Sequence, residues 1–198
     1  MWVGNGARGL GLGGEVDAVR LDRVLEGAHP ATGEALGRVV RGHVPGFDLT
    51  FSAPKSVSVL FGVGDARVRE AIRDAHDRAV TDALRYVERV AGVTRRGAGG
   101  SVAIAGAGLI AAAFRHRTSR AGDPQLHTHV LVANLILGAD GRWGTVDGRR
   151  IYAHAKTAGF LYEMRLRALL SRELGFEWGE VRNGIADVVD VSPAVRRA

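Results

Sequence analysis

Cysteine is absent from the 198 residues. That excludes disulfides, thiolate metal ligands and cysteine nucleophiles, and it fits a reducing compartment, so a cytoplasmic location is expected. No apolar run is long enough to span a bilayer, and no basic segment leads into a short apolar one. Neither membrane insertion nor secretion is therefore indicated. Lysine is scarce: arginine outnumbers it 25 to 2. The net charge of +6 favours a polyanionic partner such as DNA. Arginine abundant beside alanine and glycine is also what GC-rich coding produces, so the charge alone is a weak pointer. Tyrosine is limited to Tyr86, Tyr152 and Tyr162. Length and a 46% apolar content suit one domain with a sizeable core.

What is present is patterned. Gly4-Asn5-Gly6-Ala7-Arg8-Gly9 matches GxGxxG formally, but no strand precedes it and no βαβ pattern follows, so a flexible glycine-rich lead-in is expected. Glu15 to Gly27 has helical spacing, with Val16, Val19 and Leu25 apolar, and His29 to Gly33 reads as a turn. Gly46 to Ser52 alternates, with Phe47, Leu49 and Phe51 on one side and Asp48, Thr50 and Ser52 on the other: a half-buried strand. A helix follows, with Ser52 as its cap and Pro54 in its first turn. Asp65 to Ala91 is an amphipathic helix with a stripe of Val68, Ile72, Ala75, Ala79, Leu84 and Val87. Arg95 to Gly100 reads as a loop and Asp140-Gly141 as a turn. Ile151 to Leu174 is a second long helix with Tyr162, Leu166, Leu169 and Leu170 inward, and Ile185 to Val191 is read as a strand. The class is α+β: an antiparallel sheet with long helices packed on one face.

The chain is organised around Phe114 to Asn134, which holds His116, His127 and His129. Arg120 to Pro124 reads as a turn between apolar, partly alternating flanks at 109–118 and 126–137. Pairing symmetric about Ala121 and Gly122 sets His116 opposite His127, and alternation puts His127 and His129 on one face. Cross-strand Cβ atoms on one face lie roughly 5 Å apart, so three imidazoles converge. Three neutral imidazoles leave open positions on a divalent cation, as in catalytic rather than structural sites; imidazole suits Zn, Ni, Cu or Mn better than Mg, the identity stays open, and Mg, Mn or Zn is the expectation. Asp48, on the polar face of a neighbouring strand, can orient an imidazole or act as a general base. Lys55, Arg117 and Arg120, with Arg95, Arg96 and Arg115, can engage phosphates. Trp2 and Trp143 can stack on unpaired bases, although core packing is the commoner fate of tryptophan.

Phe47-Asp48-Leu49-Thr50-Phe51-Ser52-Ala53-Pro54-Lys55-Ser56-Val57-Ser58, Phe114 to Arg120 and Asp123 to His129 closely resemble the conjugative relaxase domain of the MobF class. The opening Trp2 to Ala7 and the later Asp140 to Trp143 are similar too, so the resemblance covers nearly the whole chain. It implies a five-stranded antiparallel palm with flanking helices. It also implies a metal-dependent transferase that nicks and rejoins single-stranded DNA at an origin of transfer, working with conjugation accessory proteins. In that family a three-histidine cluster holds the cation at the scissile phosphate and a tyrosine forms a 5′-phosphotyrosyl bond. Carried over, His116, His127 and His129 are the ligands, and Asp48 is the acidic residue that orients a histidine and assists the tyrosine.

The family's nucleophilic tyrosines lie upstream of the segment that Trp2 matches, and the three tyrosines here sit in or at the start of expected helices. The expectation is a single, truncated relaxase domain over 1–198 that binds metal and single-stranded DNA with little or no tyrosine-dependent nicking. Two other readings stay open: a DNA-binding remnant that holds no metal, and a metallonuclease that uses metal-bound water.

Overall fold

A computed structural model describes residues 1–37 and 42–197. The elements in chain order are β1 (Trp2–Val3), α1 (Asn5–Gly9), α2 (Ala18–Leu25), β2 (Gly46–Ser52), α3 (Lys55–Val63), α4 (Ala66–Ala91), β3 (Val93–Arg96), β4 (Val102–Ala105), β5 (Ala111–Thr118), β6 (Pro124–Ala133), β7 (Ile136–Leu137), β8 (Trp143–Gly144), α5 (Gly148–Leu174) and α6 (Pro193–Arg197). The main sheet has four strands in the order β1-β5-β6-β2, and β3-β4 and β7-β8 form separate two-stranded sheets. The α+β class with an antiparallel sheet and long helices is as expected; among the described residues the main sheet has four strands, where about five are expected.

The residues group into two compact units, Met1–Leu49 with Leu84–Phe114 and Val130–Ala155, and Thr50–Ala83 with Arg115–His129 and Lys156–Ala198. The first is built on Trp2, Ala7, Leu12, Val24, Ile110, Ala112, Ala133 and Leu135, all buried. Its opening segment is ordered, not a flexible lead-in. Trp2 and Val3 pair with Ala112 and Ala111, and Trp2 is 6% exposed. The glycines serve close approach here. Gly4 has φ 91°, and a Cβ on it would meet the Leu109 carbonyl oxygen at 2.2 Å. Only glycine tolerates both conditions. Glu88 seals the same corner, accepting from the backbone N–H groups of Asn5 and Leu109, each at 2.8 Å.

Other expectations in this unit shift. The helix expected over Glu15 to Gly27 runs only over Ala18–Leu25, and Asp17 caps it by accepting from Arg20 N–H at 2.9 Å. Val24 fills its buried position, while Val19 is exposed. Residues 95–100 are not simply a loop. Arg95 and Arg96 end β3, which pairs with β4 across a turn of three positive-φ glycines, Gly97, Gly99 and Gly100.

In the second unit α3 starts at Lys55. Pro54 holds its N-cap position with extended ψ, and no side chain caps it, so Ser52 belongs to β2 alone. Along α4 the stripe Ile72, Ala75 and Ala79 is fully buried. Along α5 the inward Tyr162, Leu166, Leu169 and Leu170 are each at most 1% exposed, and Gly175 ends the helix at φ 69°. Residues 185–191 form no strand: only isolated bridges, Trp178 to Val188 and Arg182 to Ile185, hold them. Side chains serve that segment instead. Ser56 Oγ accepts from Val188 N–H at 2.9 Å, and Ser56 N–H donates to Asp187 Oδ1 at 3.0 Å.

Candidate metal centre

β6 alternates without a break: Leu126, Thr128, Val130 and Val132 are buried, while His127, His129 and Leu131 are half-exposed. A period of two in burial means one face of the strand packs and the other faces outward, so His127 and His129 share the outward face. The turn before it is closed by Ser119 N–H to the Asp123 carbonyl at 2.9 Å and Ala121 N–H to Ser119 Oγ at 3.1 Å. Gly122 supplies its positive φ of 88°. At the other end of the hairpin Ala133 N–H donates to the Ile110 carbonyl at 2.8 Å. Those two residues are equidistant from the centre between Ala121 and Gly122, the same symmetry that sets His116 opposite His127.

The three imidazoles converge. Their ring centroids lie 5.0 Å apart for His116 and His127, 5.2 Å for His116 and His129, and 5.1 Å for His127 and His129. One nitrogen from each lies within 4.8 Å of the other two. The rings are held in a ligand-ready form. His127 Nδ1 is 2.9 Å from the Gln125 carbonyl oxygen, which can only accept, so Nδ1 carries the proton and Nε2 the lone pair. Thr50 Oγ1 lies 3.1 Å from His129 Nδ1 and can fix that ring the same way. Tetrahedral ligation with bonds of about 2.1 Å puts nitrogens roughly 3.4 Å apart, close to the separations of this cluster. The donor set fits a divalent ion with three protein ligands.

Beneath the triad lies a residue that sequence reasoning missed. His76 on α4 is fully buried, with Nδ1 2.7 Å from Tyr162 Oη and Nε2 2.7 Å from Thr128 Oγ1. Burial, reinforced by the nearby positive charge of Arg115, pushes its pKa down to about 3. Its only sequence signal is a polar residue inside the apolar stripe of α4. Thr50, which reads from sequence only as part of a polar strand face, is the second residue missed.

Asp48 is exposed on the polar side of β2 and belongs to the first unit. Lys55 is half-buried in the first turn of α3, and Arg120 is exposed in the hairpin turn. Arg117 is exposed on β5, its guanidinium 6.0 Å from the Phe61 ring centroid. Three other arginines are engaged by carboxylates: Arg95 with Asp147 at 2.8 Å, Arg96 with Asp140 at 2.9 Å, and Arg115 with Asp77. Trp2 and Trp143 belong to the apolar cluster of the first unit. Tyr162 is buried, Tyr86 bonds His154 Nδ1 at 2.8 Å, and Tyr152 is exposed with its ring edge-on to Phe47.

A hairpin that gathers three histidines on an antiparallel sheet defines the class, and comparison places the chain within it. A family model described as TrwC relaxase matches residues 1–198. The chain belongs to the TrwC relaxase family. It is 40% identical over 188 residues to the multifunctional conjugation protein TraI of Escherichia coli, and 39% to that of strain K12. The alignment takes in 89% of this chain and 10% of either relative, so the chain spans about a tenth of the curated relatives it matches. Among solved structures, conjugative relaxase TrwC in a metal-free complex with oriT DNA superposes with a TM-score of 0.87 at 35% identity, over 99% of this chain and 69% of that one. The copper-bound complex of TrwC with oriT DNA gives 0.86 at 35% identity, over 99% and 67%. Among the described residues no helix is long and apolar enough to cross a membrane.

Proposed function

We propose that this chain is a relaxase domain for conjugative transfer. It binds single-stranded DNA at an origin of transfer, holds a divalent cation, and serves site- and strand-specific nicking and rejoining. The observation that carries this reading is the convergence of His116, His127 and His129 within 4.8 Å on the outer face of one hairpin. One nitrogen from each of the three imidazoles makes up the ligand set. When bound, a divalent ion supplies Lewis acidity and neutralises charge on a phosphate. The protein's own residues do the rest. Gln125 and Thr50 hold the ring orientations, and Asp48 is the orienting residue or general base. Lys55, Arg117 and Arg120 contact DNA phosphates, which position the strand without reading its sequence. We assign the domain to the cytoplasm, where conjugation accessory proteins are its partners.

The three tyrosines supply no nucleophile in this reading. Tyr162 and Tyr86 are engaged by histidines, and Tyr152 lies against Phe47. The 198 residues therefore bind metal and single-stranded DNA with little or no tyrosine-dependent nicking. To test this, the protein is incubated with a labelled single-stranded origin oligonucleotide and Mg or Mn and run on a denaturing gel. An adduct mapped to Tyr86, Tyr152 or Tyr162 overturns the assignment of these tyrosines. Metal analysis beside the His127→Ala, His129→Ala variant tests the ligands: equal metal content in the two proteins counts against them. DNA binding by a metal-free wild type supports a DNA-binding remnant, and steady turnover without an adduct supports a hydrolytic nuclease.

A further inference from the structure

The residue between the two β6 ligands faces the opposite way. Thr128 is 3% exposed, and by alternation it projects to the packed side of β6 while His127 and His129 project outward. There its hydroxyl meets His76, which reaches from α4, and His76 in turn meets Tyr162 on α5. The Tyr162 ring stands edge-on to the His76 ring with centroids 5.5 Å apart, so packing as well as hydrogen bonding fixes the imidazole.

The chemistry of this chain of three is closed. A neutral imidazole has one donor and one acceptor, and each hydroxyl can take either part, so both ring nitrogens are satisfied. An apolar residue in place of His76 could fill the volume, yet it could not set where β6 sits along its own axis. Two directional bonds can. They tie the strand to both long helices at the one residue flanked by ligands. Gln125 and Thr50 fix ring rotation at Nδ1, but the origin of each ring is its Cα, and the strand sets that.

We propose that His76 is the positioning residue of the three-histidine site, holding Thr128 so that His127 and His129 leave β6 at fixed depth and direction. This rests on the reading of the three histidines as metal ligands. Groups that hydrogen-bond a metal ligand are worth roughly 10–100-fold in metal affinity; His76 acts through the strand instead, so the low end of that range sets the expected scale.

The test uses Co²⁺, whose visible absorption reports ligand geometry, titrated into the wild type and into Thr128→Val, Thr128→Ser and His76→Leu. Thermal unfolding in chelator checks each fold separately. Thr128→Val keeps the shape and burial of threonine, so it decides the matter even where His76→Leu does not fold. The expected result is Co²⁺ binding at least about tenfold weaker in Thr128→Val and His76→Leu, with shifted bands, and wild-type bands in Thr128→Ser. Folded Thr128→Val with wild-type affinity and spectrum overturns the proposal and leaves the ligand assignment intact. A wild type whose Co²⁺ spectrum is unchanged by His127→Ala overturns both.

Discussion

Glu163 Oε2 lies 3.6 Å from Nη1 of Arg167, one turn along α5, and has no hydrogen-bond partner among the described residues. The pair is too long to offset the removal of the carboxylate from water. Burial raises the Glu163 pKa to about 7, Arg167 pulls it down, and the charge of Asp187 adds to the rise. The folded state thus holds a proton between about 4.5 and 7 that the unfolded state has released. Stability falls as pH rises through that window. Glu163→Gln is expected to raise stability on the order of 2 kcal/mol at pH 8 and little at pH 4.5. Urea unfolding at the two pH values checks this; an equal gain at both sinks it.

His76 has the opposite linkage. Its pKa is about 3 when folded and about 6.5 when exposed, so unfolding takes up a proton below pH 6.5. The stability this contributes is complete above pH 6.5 and is lost as pH falls toward 3. Between pH 6.5 and 5 the loss is about 2 kcal/mol. His76→Gln starts lower at pH 7, because Tyr162 and Thr128 lose a partner, yet it lacks this slope. Unfolding free energies of both proteins across pH 7 to 5, in chelator, give the comparison. Parallel slopes would rule the idea out.

Gly4 and Gly11 both have positive φ, at 91° and 68°, but a Cβ on Gly4 would sit 2.2 Å from the Leu109 carbonyl oxygen and one on Gly11 meets nothing within 4 Å. Gly11→Ala carries conformational strain alone, about 1 kcal/mol. Gly4→Ala must also push β1 away from the Leu109 turn and is expected to cost more than about 2 kcal/mol. Thermal unfolding of the two variants separates these terms, and equal melting temperatures would refute the close-approach argument.

How legible the fold was depended on whether the deciding contact was local. The β5–β6 hairpin and its histidines follow from alternation and a Gly-Asp-Pro turn, both read within about twenty residues. The burial of Phe47, Leu49 and Phe51 follows from the same period. The role of His76 does not, because its partners lie 52 and 86 residues away, and a polar residue in an apolar stripe does not announce them. Residues 1–9 and 95–100 misread for a related reason. Glycine runs there look flexible, yet Gly4 is demanded by the Leu109 backbone, and Gly97 to Gly100 turn β3 into β4. At 185–191 the hydrophobic pattern is real, with Ala186 and Val188 buried, but Ser56 and Asp187 satisfy the chain where a ladder was expected.

Of the six cations able to engage phosphates, Lys55, Arg117 and Arg120 are the expected DNA contacts, and the surroundings of the arginines differ. Arg95, Arg96 and Arg115 each have a carboxylate at hand, which a phosphate would have to displace. Arg117 and Arg120 have no carboxylate within salt-bridge distance among the described residues, and both are exposed on the hairpin that carries the triad. Each phosphate neutralised on a single strand contributes about −0.7 to the slope of log affinity against log salt. Arg117→Ala and Arg120→Ala are expected to make that slope less steep by about this amount each, while Arg96→Ala leaves it near the wild-type value. Fluorescence anisotropy of a single-stranded oligonucleotide over a salt series reads it directly. The paired Arg96 changing the slope as much as Arg117 would show that bulk charge, rather than placed guanidinium groups, holds the DNA.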